Sequence, residues 1–344
     1  MNQQQAILAR SAGLSWVMTA EASGTVTQAR GLAQALTASY TQKIVRSNGW
    51  FKKIPASWMP VWGRAFNSAE ILHGLSVDLL PDFIISCGGR SVVASLYCRR
   101  WMLRHFGKKV WGIHIQNPGH RLAAFDFVVA PEHDGLVASE RVMATKGTVH
   151  DVTQEALHSA AGSGSAKGRV VFMLGGPNRY YAFSNQEIMQ AVDALLNLQQ
   201  SITQLVLVAS RRTPQRLLSA LNERYAQNRR LVLDVSLEKQ QYLKYLASSE
   251  IVIVSCDSVS MLSEASMTGK PVYVFYLSEI RPATKFRQLQ DSFQKLGISQ
   301  SLNEFLQAPE AVRGLGGWSY PSLNESQRVA NWVWERIERM SGDS

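Results

Sequence analysis

Cysteine is scarce in this sequence, and the three it has exclude a disulfide framework. Cys87, Cys98 and Cys256 are scattered through 344 residues in apolar contexts. An odd, dispersed set fits reduced, buried thiols. None has a Cys or His partner at zinc-site spacing, so no structural metal is expected. No apolar run reaches the ~20 residues that a membrane-crossing helix needs. The segment from Met1 to Arg10 lacks the basic and apolar regions of a secretory signal, and it is not an Arg/Ser-rich transit peptide. These absences predict a cytoplasmic protein. No recognised nucleic-acid module is present, so nucleic-acid binding is the weakest expectation.

What is present is basic and ordinary in its apolar content. Lys and Arg number 36 against 26 Asp and Glu, a net charge of +10, and 46% of residues are hydrophobic. Up to Glu155 there are 16 basic and 10 acidic residues, and beyond it 20 and 16. The excess is denser in the first part. It suggests an anionic partner: nucleotide, lipid surface or nucleic acid.

Strand and helix patterns alternate along the whole chain. Leu14 to Thr19, Lys43 to Arg46, Phe83 to Ser86, Lys109 to Ile115 and Phe125 to Ala130 read as strands. Helical spacing runs from Val26 to Leu36 and from Ser91 to Arg104. His158 to Gly168 is rich in Gly, Ser and Ala and reads as a linker. The pattern then restarts. Arg169 to Leu174, Gln204 to Ala209 and Arg230 to Asp234 are strands, and Lys239 to Ser248 is a helix. Val252 to Phe275 reads as strand, polar turn, helix, turn and strand, one βαβ unit. The fold class expected is α/β: two Rossmann-like domains with parallel sheets and an interdomain cleft. The domains expected are 1–157 and 169–322, joined by 158–168, with a final amphipathic helix within 323–344.

Polar clusters fall at the carboxyl ends of these strands, where open parallel sheets bind ligands. Asp257, Ser258 and Ser260 lie in a turn before a helix, where free N–H groups and the dipole favour an anion. Glu264 lies one turn further along the same face and suits a ribose diol. The alternative is that the serines cap the helix and Glu264 is solvated. Gly175 and Gly176 allow close backbone approach, with Asn178 and Arg179 adding polar reach. Their spacing fits neither G-x-G-x-x-G nor a Walker loop, so neither NAD binding nor NTP hydrolysis is supported. In Ser210-Arg211-Arg212-Thr213, adjacent arginines can clamp a diphosphate, or one forms an ion pair and the other is solvated. Glu132, His133 and Asp134 gather three titratable groups on one turn, as general acid–base work requires, or simply shape it. His114 and His150 read as core histidines. Gly88, Arg90 and Ser91 could form a second anion pocket. Trp50, Lys52, Lys53, Trp58 and Trp62 mix aromatic and basic residues suited to a lipid headgroup zone, or pack on the first domain.

With these residues in hand, the chain resembles the mitochondrial-fission ELM-type family, whose fold is similar to that of GT-B glycosyltransferases. The resemblance runs from about Trp16 to Asp291. It is carried by Ala130 to Gly135, Gly175 to Pro177, Ser210 to Pro214, and Asp257 to Met261 through Glu264 to Val274. It implies a nucleotide-sugar pocket mainly in the second domain and a last helix crossing back to the first. It also implies a ribose-binding Glu264, a role for Met261 beside the turn, and no bound metal or other cofactor. Gly24 and Gln28 are retained from the family's first loop, where Ala20 and Glu21 replace Asp-Gly. Asn117 and Gly119 replace Asp and Arg. The function expected is transfer of a sugar from a nucleotide donor to an envelope or lipid acceptor, with Glu132, His133 or Asp134 as base and Glu21 as a further candidate. A peripheral position at the inner membrane would suit such an acceptor. The rival readings are a non-catalytic membrane- or protein-binding adaptor and a sugar-nucleotide epimerase.

Overall fold

A computed structural model of the chain describes residues 13–21, 23–162, 167–198, 202–307 and 316–342. The described chain forms two compact units. The first ends at Asp151 and takes back the chain from Asn324, and the second runs Val152–Leu323. The passage between units thus falls at Asp151–Val152, ahead of the Gly/Ser tract. The chain there is already helical at Gln154–Ala160, because the Thr153 hydroxyl accepts from the Ala156 amide and starts a helix. Residues 163–166 of the tract lie outside the described residues.

In the first unit the strands are β1 (Leu14–Thr19), β2 (Ser39–Ile44), β3 (Phe83–Cys87), β4 (Trp111–Ile115), β5 (Phe127–Pro131) and β6 (Val142–Thr145). They pair in the order β2-β1-β3-β4-β5-β6, every pair parallel. The helices are α1 (Ser23–Leu36), α2 (Ser68–Leu72) and α3 (Gly89–Phe106). Successive strand residues face opposite ways. Val17 and Ile85 therefore join a core with Leu32 and Leu36 of α1, while Trp16, Met18 and Ile84 join a second core with Val93 and Met102 of α3. The sheet is covered on both faces, as an all-parallel sheet requires.

The second unit is also a six-stranded parallel sheet, with a different strand order. Its strands are β7 (Arg169–Leu174), β8 (Gln204–Ala209), β9 (Leu231–Asp234), β10 (Ile251–Ser255), β11 (Val272–Phe275) and β12 (Ser299–Ser301). They lie in the parallel order β12-β11-β10-β7-β8-β9. The helices are α4 (Gln154–Ala160), α5 (Asn185–Asn197), α6 (Gln215–Tyr225), α7 (Lys239–Ser248), α8 (Val259–Ser266), α9 (Thr284–Lys295) and α10 (Leu302–Gln307). The last helix, α11 (Glu325–Gly342), belongs to the first unit. Its Val329, Ala330 and Val333 are buried against α1, and Trp334 Nε1 donates to the Leu36 carbonyl at 3.2 Å. Phe83 and Trp334 pack edge to face.

The strand expected at Lys43 to Arg46 instead spans Ser39–Ile44. As an edge strand with half-exposed, polar side chains it has little apolar signal. Strands β6 and β12 are too short to carry a clear apolar pattern; each lies at one edge of its sheet. Among the described residues, no helix is long and apolar enough to cross a membrane.

Candidate functional site

The sheet order makes β10, β7 and β8 consecutive neighbours, so three loops distant in sequence meet at their carboxyl ends. Asp257 holds them together. Its side chain is fully buried, and one oxygen accepts from the Gly176 amide at 2.9 Å and from Arg212 Nη2 at 2.8 Å. The other accepts from Ser255 Oγ at 2.7 Å, and the same Ser255 oxygen accepts from the Gly175 amide at 2.8 Å. Arg212 Nη1 also donates to the Gly176 carbonyl at 3.2 Å. From the β8 side, Ser210 Oγ and Thr213 Oγ1 both donate to the Gly175 carbonyl, at 3.0 and 2.7 Å.

This closeness explains the paired glycines. A Cβ on Gly175 would sit 2.1 Å from an Asp257 oxygen, and one on Gly176 would sit 2.1 Å from the Arg212 carbonyl. Neither gap admits a side chain. Asn178 then closes the turn, its Oδ1 accepting from the amides of Tyr180 and Tyr181. Arg179 lies over the Tyr180 ring, 4.7 Å from its centroid.

Several side chains expected to face a ligand are instead bonded to one another, Asp257 and Thr213 buried and Arg212 partly exposed. Asp257, Arg212 and Thr213 make the frame, because a buried carboxylate needs donors and the strand-end amides supply them. Of the two adjacent arginines, Arg212 forms the ion pair. Arg211 is exposed and has no hydrogen-bond or ion-pair partner among the described residues. Ser258 caps α8, accepting from the Met261 amide at 3.4 Å. Ser260 and Met261 are half-buried on the first turn of that helix. The first amides of a helix have no acceptor within it, and the dipole places partial positive charge there. Glu264, one turn on, is 8% exposed and accepts from the Tyr242 hydroxyl of α7. The Tyr242 contact lies 22 residues away and carries no sequence signal.

In the first unit, Glu132, His133 and Asp134 form a short turn after β5, closed by Gly135 at φ +73°. Glu132 is ion-paired with Lys146 at 2.7 Å. At Gly88, Arg90 and Ser91, expected as a second anion pocket, both polar side chains bond to the protein itself. The Ser91 hydroxyl donates to the Cys87 and Gly88 carbonyls, and Arg90 reaches Ser47 Oγ and the Lys52 carbonyl. Gly24 lies in α1, and Gln28 Oε1 accepts from the Cys87 thiol at 3.6 Å. Glu21 pairs with Arg46 at 3.1 Å. Asn117 Oδ1 accepts from the Gly119 amide. Just before it, Gln116 has φ +82°, a strained conformation for a side-chain-bearing residue at a strand end. Nothing in its sequence context marked it.

His114 is enclosed between β3 and β5, its Nδ1 2.9 Å from Ser86 Oγ, and burial drives its pKa down to about 3. It is neutral at pH 7 and serves packing. The folded value lies below the unfolded 6.5, so the unfolded chain takes up the proton first. The associated stability is complete above pH 6.5 and is lost as pH falls towards 3. Between pH 7 and pH 5 this amounts to about 2 kcal/mol. Urea unfolding at both pH values should show H114Q losing about that much less than the parent; equal losses would place the proton uptake elsewhere.

The sequence profile of the family described as mitochondrial fission ELM1 matches residues 23–337. The mitochondrial fission protein ELM1 of Arabidopsis thaliana is 27% identical over 281 residues, covering 74% of this chain and 63% of that protein. Less than two thirds of the plant protein's length is therefore matched. Among solved structures, a Listeria monocytogenes protein assigned as a UDP-N-acetylglucosamine 2-epimerase superposes with a TM-score of 0.59 at 12% identity, covering 97% of this chain and 98% of its own. The UDP-GlcNAc 2-epimerase of Neisseria meningitidis, bound to UDP-GlcNAc, gives 0.54 at 12% identity, with 95% and 99% covered. At such identities the likeness shows a shared GT-B-type fold.

Proposed function

The chain belongs to the mitochondrial fission ELM1 family, and on that footing we propose that it uses a nucleoside-diphosphate sugar as donor, transferring the sugar to an envelope or lipid acceptor. The observation that carries this reading is the meeting of three loops at the ends of β10, β7 and β8, framed by Asp257 and flanked by the start of α8. The Neisseria structure of the same fold holds UDP-GlcNAc, which supports a donor of that class.

In this reading Glu264 accepts from the ribose hydroxyls. The first amides of α8 and the unpaired Arg211 face the diphosphate, and Arg179 and Asn178 border the sugar. Arg212, Ser210 and Thr213 fix the loops. Bond formation between an acceptor oxygen and the anomeric carbon would accompany cleavage of the bond from that carbon to the diphosphate oxygen. Arg211 and the helix dipole stabilise the charge that departs. The acceptor proton passes to a carboxylate or imidazole, for which Glu132, His133 and Asp134 are the candidates.

The test is turnover of uridine, guanosine, cytidine and thymidine diphosphate sugars by the full chain, with and without an inner-membrane lipid extract. Release of nucleoside diphosphate that requires the extract is the expected result. Conversion of the sugar without any acceptor would replace transfer by epimerisation. Binding with no turnover under either condition would favour an adaptor.

A further inference from the structure

Residues 49–66 form a folded segment with an inner and an outer side. Phe51, Met59, Ala65 and Phe66 are buried in the core beneath α3. Asn48 Nδ2 donates to the Phe66 carbonyl at 2.7 Å, Arg121 Nη2 donates to the Met59 carbonyl at 2.5 Å, and Arg90 ties down Ser47 and Lys52. The outer side is left with Trp50, Trp58 and Trp62, which are 66%, 80% and 62% exposed. Three large aromatic side chains exposed on one short, well-anchored segment mark it as a candidate interaction surface.

The charge around them identifies it. The 48 residues between Glu21 and Glu70 contain no carboxylate and six Lys or Arg. The 43 residues between Asp82 and Asp126 likewise contain none and seven; across the two stretches Arg30, Arg99 and Lys108 are paired with Asp151, Asp126 and Asp82. The two flanking carboxylates, Glu21 and Glu70, are both paired with Arg46. Lys52, Lys53 and Arg64 are exposed among the tryptophans, with no carboxylate partner among the described residues. Beside Trp62 lies a groove of about 740 Å³ whose polar walls include Arg64, Asn67, Tyr97 and Arg104. Indole rings favour the headgroup layer of a bilayer, and cations favour its anionic lipids.

We propose that this face of the first unit docks on an anionic phospholipid bilayer, with Trp50, Trp58 and Trp62 entering the headgroup layer and Lys52, Lys53 and Arg64 meeting lipid phosphates. The docking is independent of sugar transfer and of the second unit's pocket. The preset loop means that little ordering accompanies insertion.

The test is co-sedimentation of the full chain with vesicles of phosphatidylcholine alone and with phosphatidylglycerol added. Binding should require the anionic lipid and weaken as salt is raised. The double variant K52Q/K53Q should bind about thirtyfold more weakly, at the usual contribution of a basic residue near such a surface. Trp58→Ser combined with Trp62→Ser should fall to the level seen with phosphatidylcholine alone. Both variants change exposed residues and should melt with the parent. No binding of the parent to anionic vesicles, or undiminished binding of both variants, would overturn the proposal. So would self-association that the Trp variant abolishes while vesicles remain unbound, since the occupant would then be a second copy.

Discussion

Asp257→Ala is expected to lower the stability of the second unit by about 3 kcal/mol and to abolish nucleotide binding. The side chain is fully buried and accepts from the Gly176 amide, Ser255 Oγ and Arg212 Nη2. Its removal leaves a buried amide and hydroxyl without that acceptor, and unsatisfied buried donors are costly. Arg212 is partly solvated and recovers some of its loss in water. The larger consequence is geometric. Gly175 and Gly176 are drawn against Asp257 and Arg212 so tightly that no Cβ fits, and both loops relax when the carboxylate goes. D257N keeps one acceptor oxygen but loses the ion pair, so its melting transition should fall between those of parent and alanine variant. A calorimetric melt of D257A matching the parent would show that the loops are held some other way.

Glu264→Ala is expected to weaken nucleoside-diphosphate binding roughly 100-fold, the effect of losing two hydrogen bonds to a charged acceptor. Its carboxylate is nearly buried on α8 and accepts from the Tyr242 hydroxyl. That contact fixes the side chain before a ligand arrives, which lowers the ordering cost of binding. Y242F should therefore weaken binding less than E264A, because the acceptor remains but its rotamer is freer. A Y242F effect as large as that of E264A would indicate that Glu264 acts by holding α7 rather than by meeting ribose.

Much of this arrangement was legible along the chain. β1, β7, β8 and α7 fall where the apolar patterns place them, because buried parallel strands read as short continuous apolar runs. The loops after β7, β8 and β10 were recognisable because small and polar residues follow those runs abruptly. What the sequence did not show was which polar groups face inward. Asp257 and Arg211 are both polar residues at strand ends, yet one is the buried frame and the other is exposed. That distinction depends on the neighbouring order of β10, β7 and β8, a long-range property. Likewise Ser91 looked available for an anion, but at a helix start its hydroxyl turns back to the Cys87 and Gly88 carbonyls. The Trp-rich segment defied pattern reading because its prolines remove any period. Only the fold separates its buried Phe51 and Met59 from its exposed tryptophans.

The central claim is that the second unit is a nucleoside-diphosphate pocket, and isothermal titration calorimetry of the full chain with UDP, GDP, CDP and dTDP tests it most directly. One site per chain for one of the four bases, weakened roughly 100-fold in E264A while its melting transition stays intact, is the predicted result. Absence of saturable heat with all four, from a protein shown to be folded, would contradict it.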